Sequence, residues 1–423
     1  MPVRMVAKLS PDESVRAEHT EVFLCGLLFF VLTILMAPEL KGQNSGAEPA
    51  GRLDQIEAQR LEKDRNFVPA QPTHRTVSRI GNFMGHAPIG FQIDGLGPGA
   101  GVAADSVLQR NIYDGRGLAR LWGRAWFHGF YSTGAGLELR NFSVHDVSIA
   151  LEGSHSDAPQ LEYYGPGPDS SIHNRTNFRR EDTLFDFRVR LQPYRSVAQT
   201  CSFGQLLLNV GPGTNRQLAT AESVFGPNEA PGIDVQSNYF IAGCSAQLNL
   251  LDFSRDPHKG THTGATIDRY YAETRNRYSF YRLSLVGEQY FPFFNRKRVI
   301  AIRAKTDLSF HPADQVVPFY LQPTLGSDTD LRGFRRYRFY DENSISLNAE
   351  YRWEIGSGFD MALFADGGNV FHRPGQLSLS RMKSSAGLGF RFKNQNQRRV
   401  IARLDIGFSR EGVQIWLKTV RFF

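Results

Sequence analysis

From Ile345 to Ile355 the chain alternates without a slip: Ile345, Leu347, Ala349, Tyr351, Trp353 and Ile355 hold the odd positions, and Ser346, Asn348, Glu350, Arg352 and Glu354 the even ones. A period of two is a strand with one greasy and one charged face. A single strand of this kind also fits a soluble sandwich, so repetition decides. Phe185, Phe187, Val189 and Leu191 interleave with Asp186, Arg188, Arg190 and Gln192. Ile300, Ile302, Ala304, Thr306 and Leu308 interleave with Ala301, Arg303, Lys305, Asp307 and Ser309. The same pattern returns in Ala386–Phe392 and in Val400–Phe408. Charges recurring on one face of strand after strand describe a wall that meets lipid outside and water inside, a transmembrane antiparallel β-barrel.

Composition agrees. The 423 residues include 32 Phe, 15 Tyr and 40 Gly, with 22% charged residues and a mean hydropathy of −0.35. Aromatic and glycine excess with few long apolar runs is what a barrel leaves, because only alternate residues touch lipid. The net charge of +7 is spread singly along strands and loops, with no basic helix or zinc spacing, so no nucleic-acid partner is expected.

The one continuous apolar run, residues 22–37, is short for a membrane span and fits the core of a secretory signal, with Arg4, Lys8 and Arg16 before it. Residues 1–42 are read as a signal peptide region and 43–75 as a linker. Leu53, Ile56 and Leu61 give that linker the spacing of a short amphipathic helix. The barrel is expected over 76–423, in spans 76–94, 99–109, 117–128, 131–142, 146–163, 178–193, 196–211, 236–252, 263–273, 276–292, 297–310, 343–355, 358–371, 382–394, 398–409 and 413–423. That is about sixteen strands, an even number as bacterial barrels have. Counted from an inside amino end, the long connections 164–177, 212–235 and 311–342 fall on one side and the short turns on the other.

No enzyme chemistry is legible. GPGP at 165–168 and GPG at 211–213 have no following helix, so they read as turns rather than phosphate loops. Glu181 and Asp182 are adjacent, hence on opposite faces. His258 and His262 lack a third ligand nearby and read as solvated, so neither a metal nor a cofactor is expected. Cys201 and Cys244 lie on consecutive strands, and an oxidising compartment permits a bridge. Alternation leans against it, because Cys244 sits with Ala242, Ala246 and Leu248 while Cys201 sits on a mixed face with Gln199, Phe203, Gln205 and Asn209.

In order along the chain stand YYGPGPDSS with NRTNFRRED, LDFSRDPHKGT, VPFYLQPTLGSDTDLRGFRRYRFYDENS, AEYRWEI, ALFADGGNVF and RLDIGFSREGVQIWLKTVRFF. These resemble the BamA/TamA-like outer-membrane assembly barrels, the bacterial surface antigen family, over residues 75–423. The resemblance implies a sixteen-stranded barrel in the cell outer membrane, with loop 311–342 folded into the lumen. Arg332, with Gly333 and Phe334, matches the loop motif, and Phe364 with Asp366 matches the strand it meets. The alternation independently turns Phe364 and Asp366 inward, and the arginine–aspartate contact is expected to act as a strut more than a switch. Two departures stand out: only the linker occupies the place of the family's periplasmic repeats, and Arg421 replaces an apolar residue in the last strand.

The implied function is non-enzymatic insertion or translocation of protein or lipid through a destabilised seam between first and last strands. The implied partners are outer-membrane lipid and either unfolded outer-membrane proteins or a separate periplasmic partner. The rival readings are a passive pore or structural barrel, and a tethered soluble β-protein. Asn348, on the lumen face, is expected to accept arginine mildly, whereas Leu347 and Leu404 on the lipid face are not.

Overall fold

The computed structural model describes residues 89–93, 102–126, 129–140, 146–253, 256–273, 276–294, 297–356, 358–394 and 399–419. The expected signal region, the linker and Arg421 lie outside the described residues. The first strands are β1 (Ile89–Ile93), β2 (Val102–Ile112), β3 (Gly117–Trp126), β4 (Tyr131–Leu139), β5 (Val147–Tyr163) and β6 (Thr176–Tyr194). Next come β7 (Val197–Pro212), β8 (Tyr239–Asn249), β9 (Gly260–Ala272), β10 (Phe280–Phe293) and β11 (Arg298–Phe310). A small hairpin, β12 (Thr324–Leu325) and β13 (Phe339–Tyr340), precedes β14 (Asn343–Gly356), β15 (Phe359–Phe371), β16 (Lys383–Asn394), β17 (Arg399–Ser409) and β18 (Gly412–Thr419).

Apart from β12 and β13, the strands form one 16-stranded antiparallel sheet in chain order. At its two ends, β1 and β18 bring Cα atoms within 8 Å of each other, yet no ladder joins them among the described residues. The expected spans hold to within a few residues where they are described; of the first, 76–94, only Ile89–Ile93 falls among the described residues, and it is strand. The hairpin β12–β13 inside the long loop was not legible in advance, since two residues are too few to show a period.

Register keeps the two faces apart. Leu347 lies between Ala304 and Gly367 on one side of the wall, and Asn348 between Arg303 and Asp366 on the other. The outward row is bare, with Leu121, Leu151, Phe185, Phe203, Leu347 and Leu363 each 44–58% exposed. A soluble sheet does not leave such a band uncovered, and a lipid-facing wall requires it.

The packed core lies at the long-loop end rather than along the barrel axis. Tyr163, Phe178, Phe225, Tyr239, Phe280, Phe319, Tyr320 and Tyr340 are buried there together. The Tyr163 ring stands 4.9–5.0 Å from those of Phe225, Phe319 and Tyr340, in edge-on or tilted contacts that aromatic quadrupoles favour. GPGP is part of this cap: the Gly167 amide donates to the Tyr340 carbonyl at 2.7 Å. The cap therefore joins the 164–175 connection to the foot of the long loop.

One expectation is corrected. Cys201 and Cys244 are direct cross-strand partners and form a disulfide, with Cα atoms 4.0 Å apart. Opposed residues of an antiparallel pair share a face whatever flanks them along their own strands. The mixed neighbours of Cys201 therefore said nothing about its partner across the ladder.

Candidate functional site

The arginine-rich stretch of loop 311–342, between β12 and β13, lies inside the barrel against the inward faces of β14–β18. Arg332 is 3% exposed. Its Nε donates to Asp366 Oδ2 at 3.0 Å and its Nη2 to Asp366 Oδ1 at 2.7 Å, a bidentate pair to which the Arg332 backbone amide adds a third bond at 3.1 Å. Nη1 reaches Glu350 Oε2 at 2.7 Å, and the guanidinium lies over the Phe364 ring, 3.5 Å from its centroid. Phe364 and Asp366 point inward by the pleat of β15, and Glu350 does so by the pleat of β14.

Arg391 on β16 bonds Asp405 at 2.6 Å and both oxygens of Glu350 at 3.0 and 3.1 Å. Arg352 adds a bond to Glu350, and Arg403 one to Asp405. The result is a buried lattice in which Glu350 and Asp405 each meet more than one arginine and Asp366 is held by Arg332 with Asn348 and Ser385, so no carboxylate is stranded without a counter-charge. Glu350, Arg352, Arg391, Arg403 and Asp405 all stand on the polar side of their strands' alternation. That was the available signal for them, though alternation alone does not say that they meet.

The loop backbone is clasped as closely as its side chain. Trp416 Nε1 on β18 donates to the Arg332 carbonyl at 2.7 Å, and Ser409 Oγ to the Gly333 carbonyl at 2.7 Å. A Cβ on Gly333 would lie 2.8 Å from the Phe408 carbonyl oxygen, and one on Gly407 would lie 2.3 Å from that of Arg332. Hydrogen at these positions lets loop and wall touch. Gly407→Val is accordingly expected to lift the loop at a cost of about 1–3 kcal/mol, read as faster tryptic cleavage near Arg335 in a barrel that still migrates as folded. Unchanged cleavage would sink that account.

Phe334, 1% exposed, packs against Phe339 at a ring separation of 5.2 Å, with Leu325, Leu331 and Val370 around them. Arg338, also 1% exposed, crosses to Glu411 in the β17–β18 turn at 2.8 Å and to Ser170 of the β5–β6 connection at 2.7 and 2.9 Å. Lys418 pairs with Asp328 at 3.2 Å. Trp416, Glu411 and Lys418, and the partners of Arg338, escaped the sequence reading. An aromatic on the polar face of the last strand, between Gln414 and Lys418, was the signal for Trp416.

The structure also alters one control. Asn348 Nδ2 donates to Asp366 Oδ1 at 2.9 Å and to the Asp330 carbonyl, so it belongs to this lattice, and arginine there is expected to disturb it. His258 Nδ1 lies 2.9 Å from the Asp256 carbonyl, and His262 pairs with Asn249 and Glu288 in the sheet.

At the loop's root, outside the wall, His311 Nε2 lies 2.8 Å from Glu342 Oε2. His372 Nδ1 lies 3.6 Å from the same oxygen and 3.7 Å from Asp341 Oδ1. Burial lowers the His311 pKa, but the Glu342 carboxylate and the Pro312 carbonyl together outweigh it, and the net shift is upward. His372 is raised by Asp341 and Glu342 against burial and Arg373. A folded value above the ordinary one, about 6.5, gives stabilisation that is complete below that value and lost as pH rises through the folded value. Proteolysis of loop 311–342 is expected to be slow near pH 6 and faster near pH 8 (roughly), and His311→Gln should flatten the profile.

Residues 131–395 match the Omp85 superfamily domain. No curated protein matches the chain. Among solved structures, BamA from Haemophilus ducreyi lacking POTRA domains 1–3 aligns at a TM-score of 0.61 and 14% identity, covering 79% of this chain and 69% of that one. CdiB from Acinetobacter baumannii aligns at 0.47 and 12%, covering 78% and 59%, and CdiB from Escherichia coli at 0.47 and 12%, covering 79% and 62%. With the family model matched over more than half its length and the barrel fold in place, the chain belongs to the Omp85 superfamily and is an integral β-barrel of the outer membrane.

Proposed function

We propose that this barrel inserts or translocates protein, or lipid, at the outer membrane without covalent chemistry, through the seam between β1 and β18. The observation that carries the reading is the seam itself. The described part of β1 is laddered to β2, while its approach to β18 has no ladder among the described residues. Unpaired strand edges at membrane depth are costly, and such an edge is a template for strand addition. Arg332, Gly333, Phe334, Phe364 and Asp366 serve in this reading as a strut that fixes the loop inside the lumen. A passive open pore is disfavoured by that loop and by the aromatic cap at the long-loop end.

Outer-membrane lipid is one partner, and unfolded outer-membrane proteins or a separate periplasmic protein the other. Depletion followed by profiling of outer-membrane proteins and lipids tests the activity. Cysteine pairs scanned across β1 and β18 test the route: cross-linking under oxidation is expected to reproduce the depletion profile and reduction to reverse it. Normal profiles in a fully cross-linked strain would exclude the seam.

A further inference from the structure

The β15–β16 connection does not stand up from the rim as a free loop. Two 3-10 turns, Pro374–Gln376 and Leu379–Arg381, give it a defined path. Odd-numbered residues of β15 face outward, as the 48% exposure of Leu363 shows. Asn369 shares that side, opposite Ile345, yet it is 1% exposed, because the loop covers it: Asn369 Nδ2 donates to the Ser378 carbonyl at 3.1 Å.

What this folded-back segment shows to its surroundings is apolar in the middle and basic at the ends. Leu379 is 79% exposed and Leu377 42%. Arg373 is exposed at one end, and Arg381 at the other is 60% exposed, with Asp169 at 3.9 Å as a loose, equally exposed neighbour. Exposed leucines beside an outward-facing strand end, with arginines at their flanks, match acyl chains beside anionic headgroups.

We propose that this loop is a lipid anchor: Leu377 and Leu379 enter the outer leaflet at the extracellular end of β15 and β16, and Arg373 and Arg381 hold the phosphate of an anionic lipid headgroup. The partner is the bilayer itself. The assignment rests on the outer-membrane location and not on the seam activity. It would fix the depth of the wall on which Asp366 and Arg391 stand, beside the docked loop.

The test uses the full-length chain in vesicles of phosphatidylcholine, with or without phosphatidylglycerol. Leu379→Cys in a Cys25→Ser background takes an environment-sensitive fluorophore, since Cys201 and Cys244 are bonded to each other. Leu377→Cys is the second variant should the first fail to fold, and Glu222→Cys, exposed on the short helix Ala221–Val224, is the reference. The label at 379 is expected to be quenched by brominated acyl chains and about tenfold less by aqueous iodide than the reference. That shielding is expected to deepen with phosphatidylglycerol, and Arg373→Gln with Arg381→Gln to abolish the difference between the two vesicles. Iodide quenching equal to the reference overturns the anchor. Shielding indifferent to headgroup and to the arginines overturns the phosphate contact. Shielding found in cells but absent from both vesicles assigns the surface to a protein partner instead.

Discussion

Arg332→Ala and Asp366→Ala are each expected to destabilise the docked loop by about 3–5 kcal/mol, because each leaves a buried charge without its bidentate partner. The surroundings soften the loss from both sides. Asp366 keeps Asn348 at 2.9 Å and Ser385 at 3.3 Å, and Arg332 keeps Glu350 at 2.7 Å, so values near the lower end are expected. Both variants should still insert and migrate as folded, with the chain cut near Arg335 where the parent is resistant. The double variant should fall short of the sum of the singles by about 0.5–3 kcal/mol, since the two residues act through one contact. Fully additive damage would mean that they do not act together.

Leu347→Arg is expected to impair insertion by about 2–4 kcal/mol if its depth is near the midplane, because the side chain must enter hydrocarbon. Gln247→Arg is the appropriate control in place of Asn348→Arg. Gln247 is exposed and lies opposite Ala198 and Gly264 on the lumen side, the side opposite Cys201 and Cys244. Its effect should stay within about 0.5 kcal/mol, as for a solvated surface change. Heat-modifiable migration after folding into vesicles measures both, and equal losses at the two positions would show that the faces are misassigned.

The wall was legible in the sequence because a barrel writes its architecture in a period of two. Glu350 and Leu347 are told apart by parity alone, and the structure keeps them on opposite sides. The meeting of Arg332 with Asp366 came from the resemblance, and parity supplied only the inward direction of Asp366. What escaped lies where periodicity carries no information. Arg338 finds Ser170 across 168 residues of sequence, and nothing local to either residue encodes that distance. The disulfide escaped for a related reason: pairing across a ladder is set by register, and register between β7 and β8 is fixed by a long connection rather than by a two-residue turn. The path of the Pro374–Arg381 segment over Asn369 was likewise invisible, because its short turns leave no periodic trace.

The moorings of the long loop also order events during folding. Its partners on the last two strands and the turn between them are far away in sequence: Trp416 bonds a carbonyl 84 residues earlier, Glu411 an arginine 73 earlier, and Lys418 an aspartate 90 earlier. Tyr340 reaches back to the Glu162 carbonyl over 178 residues. Contacts of such separation form only after the intervening chain has been gathered in, and their loop-closure entropy is met late. A nascent barrel that has not yet laid down β17 and β18 can hold much of its wall while Arg332 and Arg338 lack their clasps. Seating of this loop is therefore a timestamp of completion, and a protease that cuts near Arg335 distinguishes unfinished molecules from finished ones before any difference in strand content can be detected.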